Sequence, residues 1–218
     1  MKVKNKVYTN QGNKEVLKHV AEDAFKVLDL GCGVGDNARI LSDERRTVDG
    51  VTISPDEAKI ASEYCENVYV HDLESGLPEG IKSKSYECVL CSHLIEHLRD
   101  PNIMLEEVYS VMKNGARLIV ALPNVVHYKN RFRILLGKFE YEESGIMDNT
   151  HYKFYTYKTA QRTLKHVGPK KIKSYVTGGF PLSRILPDTI EVWIDRLSCY
   201  VFPGLFGRQI ILVYEKQV

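Results

Sequence analysis

The chain has 218 residues, of which 44% are hydrophobic and 27% are charged, and its formal net charge is +2. These values are typical of a single globular domain, and so small a net charge gives no general attraction to nucleic acid. The sequence shows neither a charged-then-apolar leader nor an apolar run of ~18 residues. We therefore expect a cytoplasmic protein without a membrane span.

Apolar runs typical of buried strands alternate with helical patterns over the first half of the chain. Asn13 and Ser54 are the expected caps of the first and third helices, and Pro55 and Glu57 follow Ser54 as in a capping box. This alternation predicts right-handed β-α-β units on a parallel sheet. Strands are expected at 25–30, 47–53, 67–71, 85–91 and 116–122, and helices at 13–24, 36–42, from 54 onward and at 101–113.

The alternation ends after Pro123, where a more basic segment begins. Between His127 and Tyr175, eleven lysines and arginines stand against four acids. Such an excess is commonly a solvated face, but it also marks anionic substrates and phospholipid surfaces. Further elements are expected at 157–167 (helix), 171–177 (strand) and 208–215 (closing strand).

The stretch from 185 to 206 is rich in apolar residues. Its residues Ile190, Trp193, Ile194 and Leu197 have helical spacing. We expect this stretch to cover the sheet or an adjoining subunit, and peripheral membrane contact is the alternative. The protein is expected to be a monomer or a homodimer.

The five cysteines do not form the even set of a secreted disulfide framework. Cys88 and Cys91 form a C-x-x-C pair inside a predicted strand, where positions three apart point to opposite faces. No second C-x-x-C completes a zinc site. The sequence therefore predicts two buried small side chains here.

Three glycines, at 31, 33 and 35, follow the first predicted strand within the run VLDLGCGVGD. Glycine lets a chain turn tightly and approach a ligand without a Cβ atom. Dinucleotide enzymes favour G-x-G-x-x-G, whereas G-x-G-x-G resembles the first motif of class I S-adenosylmethionine-dependent methyltransferases. The resemblance continues in order through GVTIS, HDLESGLP, YECVLCSHLIEHLRDP and GARLIVALPN.

This resemblance implies a three-layer αβα, Rossmann-like fold with a mostly parallel seven-stranded sheet and an antiparallel C-terminal strand. It implies one domain, with a cofactor-binding half at 1–123, a substrate lid at 124–206 and a closing strand at 208–215. The implied cofactor is S-adenosylmethionine. An NAD(P)-dependent oxidoreductase and a non-catalytic cofactor-binding module are the alternatives.

The resemblance also implies cofactor contacts from the ends of the first four strands. The methionine end would meet Asp29, Gly31, Cys32, Gly33 and Gly35, and the ribose would meet Thr52, Ile53, Ser54 and Glu57. Asp72 and Leu73 would meet the adenine, and Ser92 and His93 would close over the methionine moiety. Many family members carry an acid where this chain has Thr52. Glu57 either shares the ribose contacts with Thr52 or merely completes the capping box.

The stretch SHLIEHL contains H-x-x-E-H, the inverted box of zinc proteases. On a helix, His93 and His97 would share one face. Related methyltransferases carry E-H pairs in stretches like S-x-x-x-E-H-L just after the fourth strand, and Glu96 and His97 fit that pattern. We therefore expect these histidines to hold no metal.

The segment after Pro123 resembles methyltransferases associated with surface-polysaccharide and glycosyl-transfer genes. The matching positions are Gly145, Ile146, Asp148, Thr150, His151, Phe154 and Thr156. The resemblance implies a small-molecule acceptor, either a sugar, a glycan precursor or a phosphorylated metabolite, and the local charge suggests an anionic one. Candidate general bases are His151, then His127, then His97, with Asp148 as a group that could orient His151. Candidate substrate contacts are Tyr128, Arg131, Arg133 and Asp148.

Overall fold

The computed structural model describes residues 11–42, 45–165, 168–181 and 188–217, and seven strands in these residues form one sheet. The strands are β1 (Lys26–Leu30), β2 (Thr47–Thr52), β3 (Asn67–Val70), β4 (Tyr86–Ser92), β5 (Met112–Pro123), β6 (Lys170–Thr177) and β7 (Gln209–Glu215). Their order across the sheet is β3-β2-β1-β4-β5-β7-β6. The first five are parallel, and β7 is antiparallel to both β5 and β6. The predicted Rossmann-like sheet is confirmed, with the closing strand inside it rather than at its edge.

Helices connect the strands and cover the sheet. Local sequence explains where two of them begin: Ser54 Oγ accepts the N–H of Glu57 at 3.3 Å, and Asp100 Oδ1 accepts the N–H of Asn102 at 3.1 Å, each just before a proline. The helices are α1 (Lys14–Leu17), α2 (Asp36–Leu41), α3 (Pro55–Ala61), α4 (Glu79–Lys82), α5 (Pro101–Val111), α6 (Tyr128–Leu135), α7 (Tyr157–Lys165), α8 (Asp188–Val201) and α9 (Pro203–Phe206).

Both faces of the sheet are apolar and buried, as expected of a parallel sheet between two helical layers. Leu28, Leu30 and Cys91 pack into the cluster on one face, while Val27 and Cys88 pack into the cluster on the other. The prediction for the C-x-x-C pair is confirmed, since both thiols are fully buried and unpaired. Burial raises the pKa of the Cys88 thiol to about 12.

Two boundaries differ from the sequence prediction. The first helix, expected to reach Ala24, ends at Leu17, and the Asn13 side chain donates to Ser92 Oγ at 3.0 Å instead of capping the helix. The fifth strand, expected to begin at Ala116, begins at Met112 because that residue pairs with Tyr86 of β4. Tertiary partners therefore override the local signals at both positions.

The segment His93–Leu98 was expected to be helical, and this is wrong. Only a single 3₁₀ turn forms, at Ile95–His97. The N–H of His93 still donates to Ala121 O at 2.9 Å, which continues the pairing of β4 with β5, and His93 then turns the chain with φ = 55°. His93 and His97 are therefore not neighbours on one face of an α-helix.

The C-terminal part of the chain is helical before β7, as the spacing at Ile190–Leu197 predicts. Cys199 of α8 is buried against the main cluster, whereas the side chain of Trp193 is 63% exposed. Residues 166–167 of the helix predicted at 157–167 and residues 185–187 of the apolar stretch lie outside the described residues. None of the described helices has both the length and the apolar character to cross a membrane.

Candidate active site

A cavity of about 1080 Å³ opens where the parallel strands end. Its wall includes Gly33 after β1, Thr52 at the end of β2, Asp72 after β3 and Ser92 at the end of β4. Open α/β sheets bind their ligands at this edge. The volume is at the upper end of the range usual for small-molecule sites.

The glycine loop after β1 has backbone angles that favour glycine. Gly31, Gly33 and Gly35 have φ values of 71°, 55° and 85°. A Cβ on Gly31 would lie 3.2 Å from Leu94 Cδ1, and one on Gly35 would lie 3.1 Å from Ala61 Cα. Gly31 and Gly33 line the cavity, whereas Gly35 lets α2 pack closely on α3.

A series of hydrogen bonds through two asparagines connects Asp29, which precedes the glycine loop, with Ser92. Asp29 Oδ2 accepts from Asn37 Nδ2 at 3.3 Å, Asn37 Oδ1 accepts the N–H of Asn13 at 2.9 Å, and Asn13 reaches Ser92. Asp29 is fully buried, and burial raises the pKa of its carboxyl to about 7. Its Oδ1 has no hydrogen-bond partner. Asn13 and Asn37 line the cavity, so Asp29 lies behind the wall rather than in it.

A buried carboxylate stands at the end of β2, although the strand itself supplies a threonine. Thr52 Oγ1 donates to Glu57 Oε2 at 2.6 Å, and the N–H of Ser54 donates to Thr52 Oγ1 at 3.3 Å. Thr52 and Glu57 both line the cavity. Ser54 caps α3 through the Glu57 N–H, and the Glu57 side chain accepts a hydrogen bond from Thr52.

A second buried carboxylate, Glu96, lies farther along the cavity. Its Oε1 accepts from His93 Nδ1 at 3.2 Å, and the Gln209 amide donates to His93 Nε2 at 3.1 Å. His93 is also the one non-glycine residue with positive φ in the described part of the chain. The Glu96 carbonyl accepts the N–H groups of Tyr152 and Lys153 at 2.9 and 3.1 Å. The 3₁₀ turn therefore holds the segment around residue 152 against the cavity.

Two further imidazoles face this carboxylate. His97 Nδ1 lies 3.3 Å from Thr150 O and 3.1 Å from Thr150 Oγ1, and Thr150 Oγ1 donates to Asp148 Oδ1 at 2.6 Å. His151 Nδ1 lies 3.2 Å from Ile146 O, and burial lowers the pKa of His151. The ring centroids of His97 and His151 are 4.7 Å apart. Asp148 therefore orients His97 through Thr150.

The cavity brings together most, but not all, of the residues predicted from the sequence. Those that line it are Gly31, Cys32, Gly33, Thr52, Ile53, Glu57, Asp72, Leu73, Ser92, His93, His97, Asp148 and His151. Those that do not line it are Asp29, Gly35, Ser54, His127, Tyr128, Arg131 and Arg133.

The basic residues of α6 make contacts away from the cavity. Arg131 Nε donates to Val126 O at 2.7 Å, and Arg133 pairs with Glu142. His127 is buried, and burial, with Lys129 and Arg208 nearby, lowers its pKa to about 4. The Tyr128 ring lies 4.4 Å from the His127 ring. This group therefore does not form part of the cavity wall.

Two arginines that the sequence prediction missed do line the cavity. Arg99 follows the 3₁₀ turn and packs its guanidinium 4.9 Å from the centre of the Tyr152 ring. Arg208 immediately precedes β7, and Gln209 begins it. An antiparallel closing strand starts at the edge where the parallel strands end, so the predicted topology already contained the signal for Arg208 and Gln209.

The fold and the cavity define a Rossmann-like protein with a large cavity at the carboxyl edge of the parallel strands. The family described as "Methyltransferase domain" matches residues 9–173, and the chain belongs to that family. Membership of this family indicates S-adenosylmethionine as the cofactor. The glycine loop and the carboxylate at the end of β2 fit that molecule, and the unpartnered Asp29 oxygen leaves one buried acceptor behind the loop.

Curated relatives match only part of the chain. The ubiquinone biosynthesis O-methyltransferase of Xylella fastidiosa is 25% identical over 120 residues, which is 50% of this chain and 46% of that protein. The arsenite methyltransferase of Mus musculus is 30% identical over 109 residues, or 43% of this chain and 29% of that protein. The chain therefore spans about half or less of these relatives, and their acceptors differ widely.

Solved structures match nearly the whole chain. A SAM-dependent methyltransferase from Archaeoglobus fulgidus superimposes with a TM-score of 0.65 at 22% identity, covering 90% of this chain and 88% of that one. The putative methyltransferase in complex with the Trm112 activator of Haloferax volcanii superimposes with a TM-score of 0.64 at 18% identity, covering 94% and 88%. At these identities the comparison concerns the fold alone.

Proposed function

We propose that the protein transfers the methyl group of S-adenosylmethionine to a hydroxyl of a small anionic acceptor, such as a sugar phosphate, a glycan precursor or another phosphorylated metabolite. The observation that carries this proposal is the extent of the cavity. Its lining extends from the glycine loop past His93 to Glu96, His97 and His151. We assign the end at the glycine loop to the cofactor and the end at Glu96 to the acceptor, and call them the cofactor compartment and the acceptor compartment.

In the cofactor compartment, each part of the ligand has a partner of suitable chemistry. The Glu57 carboxylate, held by Thr52, suits the two ribose hydroxyls, because a carboxylate accepts two hydrogen bonds at once. Asp72 suits the adenine amino group, and the backbone at Gly31 and Gly33 suits the methionine end. Bound S-adenosylmethionine supplies a methyl group that the sulfonium has already activated.

The acceptor compartment carries positive charge that suits a phosphate or a carboxylate. Arg99 and Arg208 both line the cavity, and both are exposed. A guanidinium binds such anions through two parallel hydrogen bonds. We propose these two arginines, rather than Arg131 and Arg133, as the main anion contacts. The latter two already bind a main-chain carbonyl and Glu142.

An acceptor hydroxyl must lose its proton as it is methylated, and the groups around Glu96 are placed to promote that loss. His151 and His97 reach the cavity, whereas His127 does not. The lowered pKa of His151 keeps its imidazole neutral near pH 7. Holding the hydroxyl against this cluster and in line with the methyl–sulfur bond promotes the transfer.

The proposal is tested by incubating the protein with S-adenosylmethionine carrying a labelled methyl group and a panel of matched acceptors. The panel pairs sugar phosphates and nucleotide sugars with neutral methyl glycosides. It also includes a ubiquinone precursor and arsenite, because the relatives are named for ubiquinone biosynthesis and for arsenite methylation. Label is expected in the phosphorylated members. Binding of NADH without binding of S-adenosylmethionine would favour the oxidoreductase alternative. Binding of the cofactor with no transfer to any member would favour the non-catalytic module.

A further inference from the structure

The buried carboxylate of Glu96 has more acceptor capacity than its protein neighbours fill. Its side chain is 0% exposed, its Oε1 faces His93, and its Oε2 is buried without a hydrogen-bond partner. Within the described residues, Glu96 forms one ion pair, with His93. A buried carboxylate is strongly unfavourable unless a cation or a donor faces it. A cation beside Oε2 would complete this site.

The two imidazoles beside Glu96 are oriented by their Nδ1 atoms. His151 Nδ1 faces the carbonyl of Ile146 at 3.2 Å, and His97 Nδ1 faces the carbonyl of Thr150 at 3.3 Å. A carbonyl accepts hydrogen bonds and cannot donate, so each ring carries its proton on Nδ1 and leaves a lone pair on Nε2. This arrangement of an N–H fixed by a main-chain carbonyl is typical of histidines that bind a metal.

We propose that Glu96, His97 and His151 bind a divalent transition-metal ion of the Zn²⁺ class at the acceptor end of the cavity. Within the described residues, the donor atoms of these three side chains lie within 4.8 Å of one another. Metal bonds of about 2.0–2.2 Å bring ligand atoms to about 3.4 Å apart, so side-chain shifts of roughly 1 Å close the set. Two imidazoles and one carboxylate leave positions open toward the cavity, as in catalytic metal sites.

This set is not the H-x-x-E-H box. His93 lies on the other side of Glu96, bound to Oε1, and the third ligand, His151, comes from a segment about fifty residues later. The inference departs from the expectation that the chain holds no metal. That expectation rested on the likeness of Glu96 and His97 to the E-H pairs of related methyltransferases, and the fold places His151 beside them.

The inference rests on the proposed function only for the role of the ion in the reaction. An acceptor hydroxyl bound to the ion would lose its proton to water more readily, because the positive charge stabilises the oxyanion. The oxygen lone pair then forms the O–C bond to the methyl carbon. The C–S bond breaks at the same time, and its electron pair stays on sulfur as a neutral thioether.

The test measures metal binding directly and needs no acceptor. Full-length untagged protein is stripped with EDTA, dialysed and titrated with Zn²⁺ alone against a chromophoric chelator. The wild type is expected to bind one equivalent with a dissociation constant near or below ~1 μM. Co²⁺ is expected to give the visible absorption of a nitrogen- and oxygen-ligated ion. His151→Ala and His97→Ala are expected to weaken binding more than 100-fold, and Thr150→Val about 10-fold.

His19→Ala is the matched control, because His19 bonds to Tyr175 and does not line the cavity. His93→Ala is expected to change the Zn²⁺ affinity by less than about tenfold. This result would distinguish the Glu96, His97 and His151 set from the H-x-x-E-H motif. Folding of each variant is checked by circular dichroism, and Glu96→Gln is interpreted only if it folds. The inference is overturned if the wild type takes up no Zn²⁺ or if His151→Ala binds as the wild type does. Methyl transfer that persists in EDTA, without Zn²⁺ uptake, would overturn the metal site and leave the proposed function standing.

Discussion

The hydroxyl of Thr52 donates to the carboxylate of Glu57 over 2.6 Å, so a helix side chain brings a negative charge to the end of strand β2. Both residues are buried, and both line the cavity. Many members of the family have a carboxylate on the strand itself at this place. Here the strand residue positions the carboxylate, and the helix residue supplies it.

This relationship predicts that Glu57 and Thr52 act on cofactor binding as a pair. Glu57→Ala is expected to weaken S-adenosylmethionine binding by 10-fold or more, because it removes charge-assisted hydrogen bonds worth about 1.5–3 kcal/mol. Thr52→Val is expected to cost less, and the double variant less than the sum of both. Isothermal titration calorimetry with S-adenosylhomocysteine measures all three. Asp56→Asn, on the exposed side of the same helix turn, is the control. Wild-type affinity in Glu57→Ala would show that this carboxylate serves the fold only.

The glycine loop predicts that a side chain at Gly33 blocks cofactor binding by occupying space, and not by straining the backbone. Gly33→Val is expected to abolish cofactor binding, since Gly33 has φ = 55° and a side chain there would enter the cavity wall. Gly115→Ala is the matched control: its φ is 78° and no atom lies within 4 Å of the added Cβ. It is expected to cost about 1 kcal/mol of stability through strain and to leave binding unchanged. Equal loss of binding in both variants would mean that strain, and not exclusion, explains the effect.

The cavity arginines give a prediction about the acceptor. With a phosphorylated acceptor, Arg99→Ala and Arg208→Ala are each expected to raise KM about 10-fold or more while leaving cofactor affinity unchanged, because each removes a charge-assisted contact. Lys113→Ala is the control, since Lys113 pairs with Glu87 away from the cavity. If Arg133→Ala raises KM and Arg99→Ala does not, the substrate site lies along α6, as the sequence suggested.

His127 predicts a loss of stability in acid. Its folded pKa is about 4, below the ordinary value of 6.5, so its contribution to stability is complete above pH 6.5 and declines as pH falls toward 4. Between pH 8 and pH 5 the decline is about 2 kcal/mol. His127→Phe is expected to remove that part of the pH dependence and to avoid the unpartnered Nδ1. Urea unfolding of both proteins at the two pH values measures it. Equal pH dependence in both proteins would refute the assignment to His127.

The strands of the parallel half could be predicted from the sequence because each is a short apolar run followed by a turn signal. Gly31, Gly33, Thr52, Asp72 and Ser92 were named because their motifs resemble those of the methyltransferase family, and all line the cavity because residues at the ends of parallel strands gather at one edge. Asn37 and Asn13 were not found, since their contacts with Asp29 and Ser92 join distant parts of the chain. No local pattern encodes such contacts.

The residues proposed to contact the acceptor were harder to predict, because their positions also depend on contacts between distant parts of the chain. His151 was found from a resemblance, but its place beside Glu96 depends on main-chain bonds from Glu96 to Tyr152 and Lys153. The basic excess of the segment after Pro123 pointed to Arg131 and Arg133. Charge composition says nothing about which side of a helix faces a cavity, and these two residues bind elsewhere.

The position of β7 has a consequence for the synthesis of this protein. Strand β5 pairs with β4 on one edge, but its other edge pairs with residues 209–215, which are translated about ninety residues after β5 itself. At ordinary ribosomal rates that interval is roughly 5–20 s. During it, a nascent chain exposes an apolar strand edge that is prone to pair with other chains. Messages cut short between codons 124 and 208 should therefore yield aggregating products, and a chaperone that shields strand edges should determine how much enzyme a cell obtains.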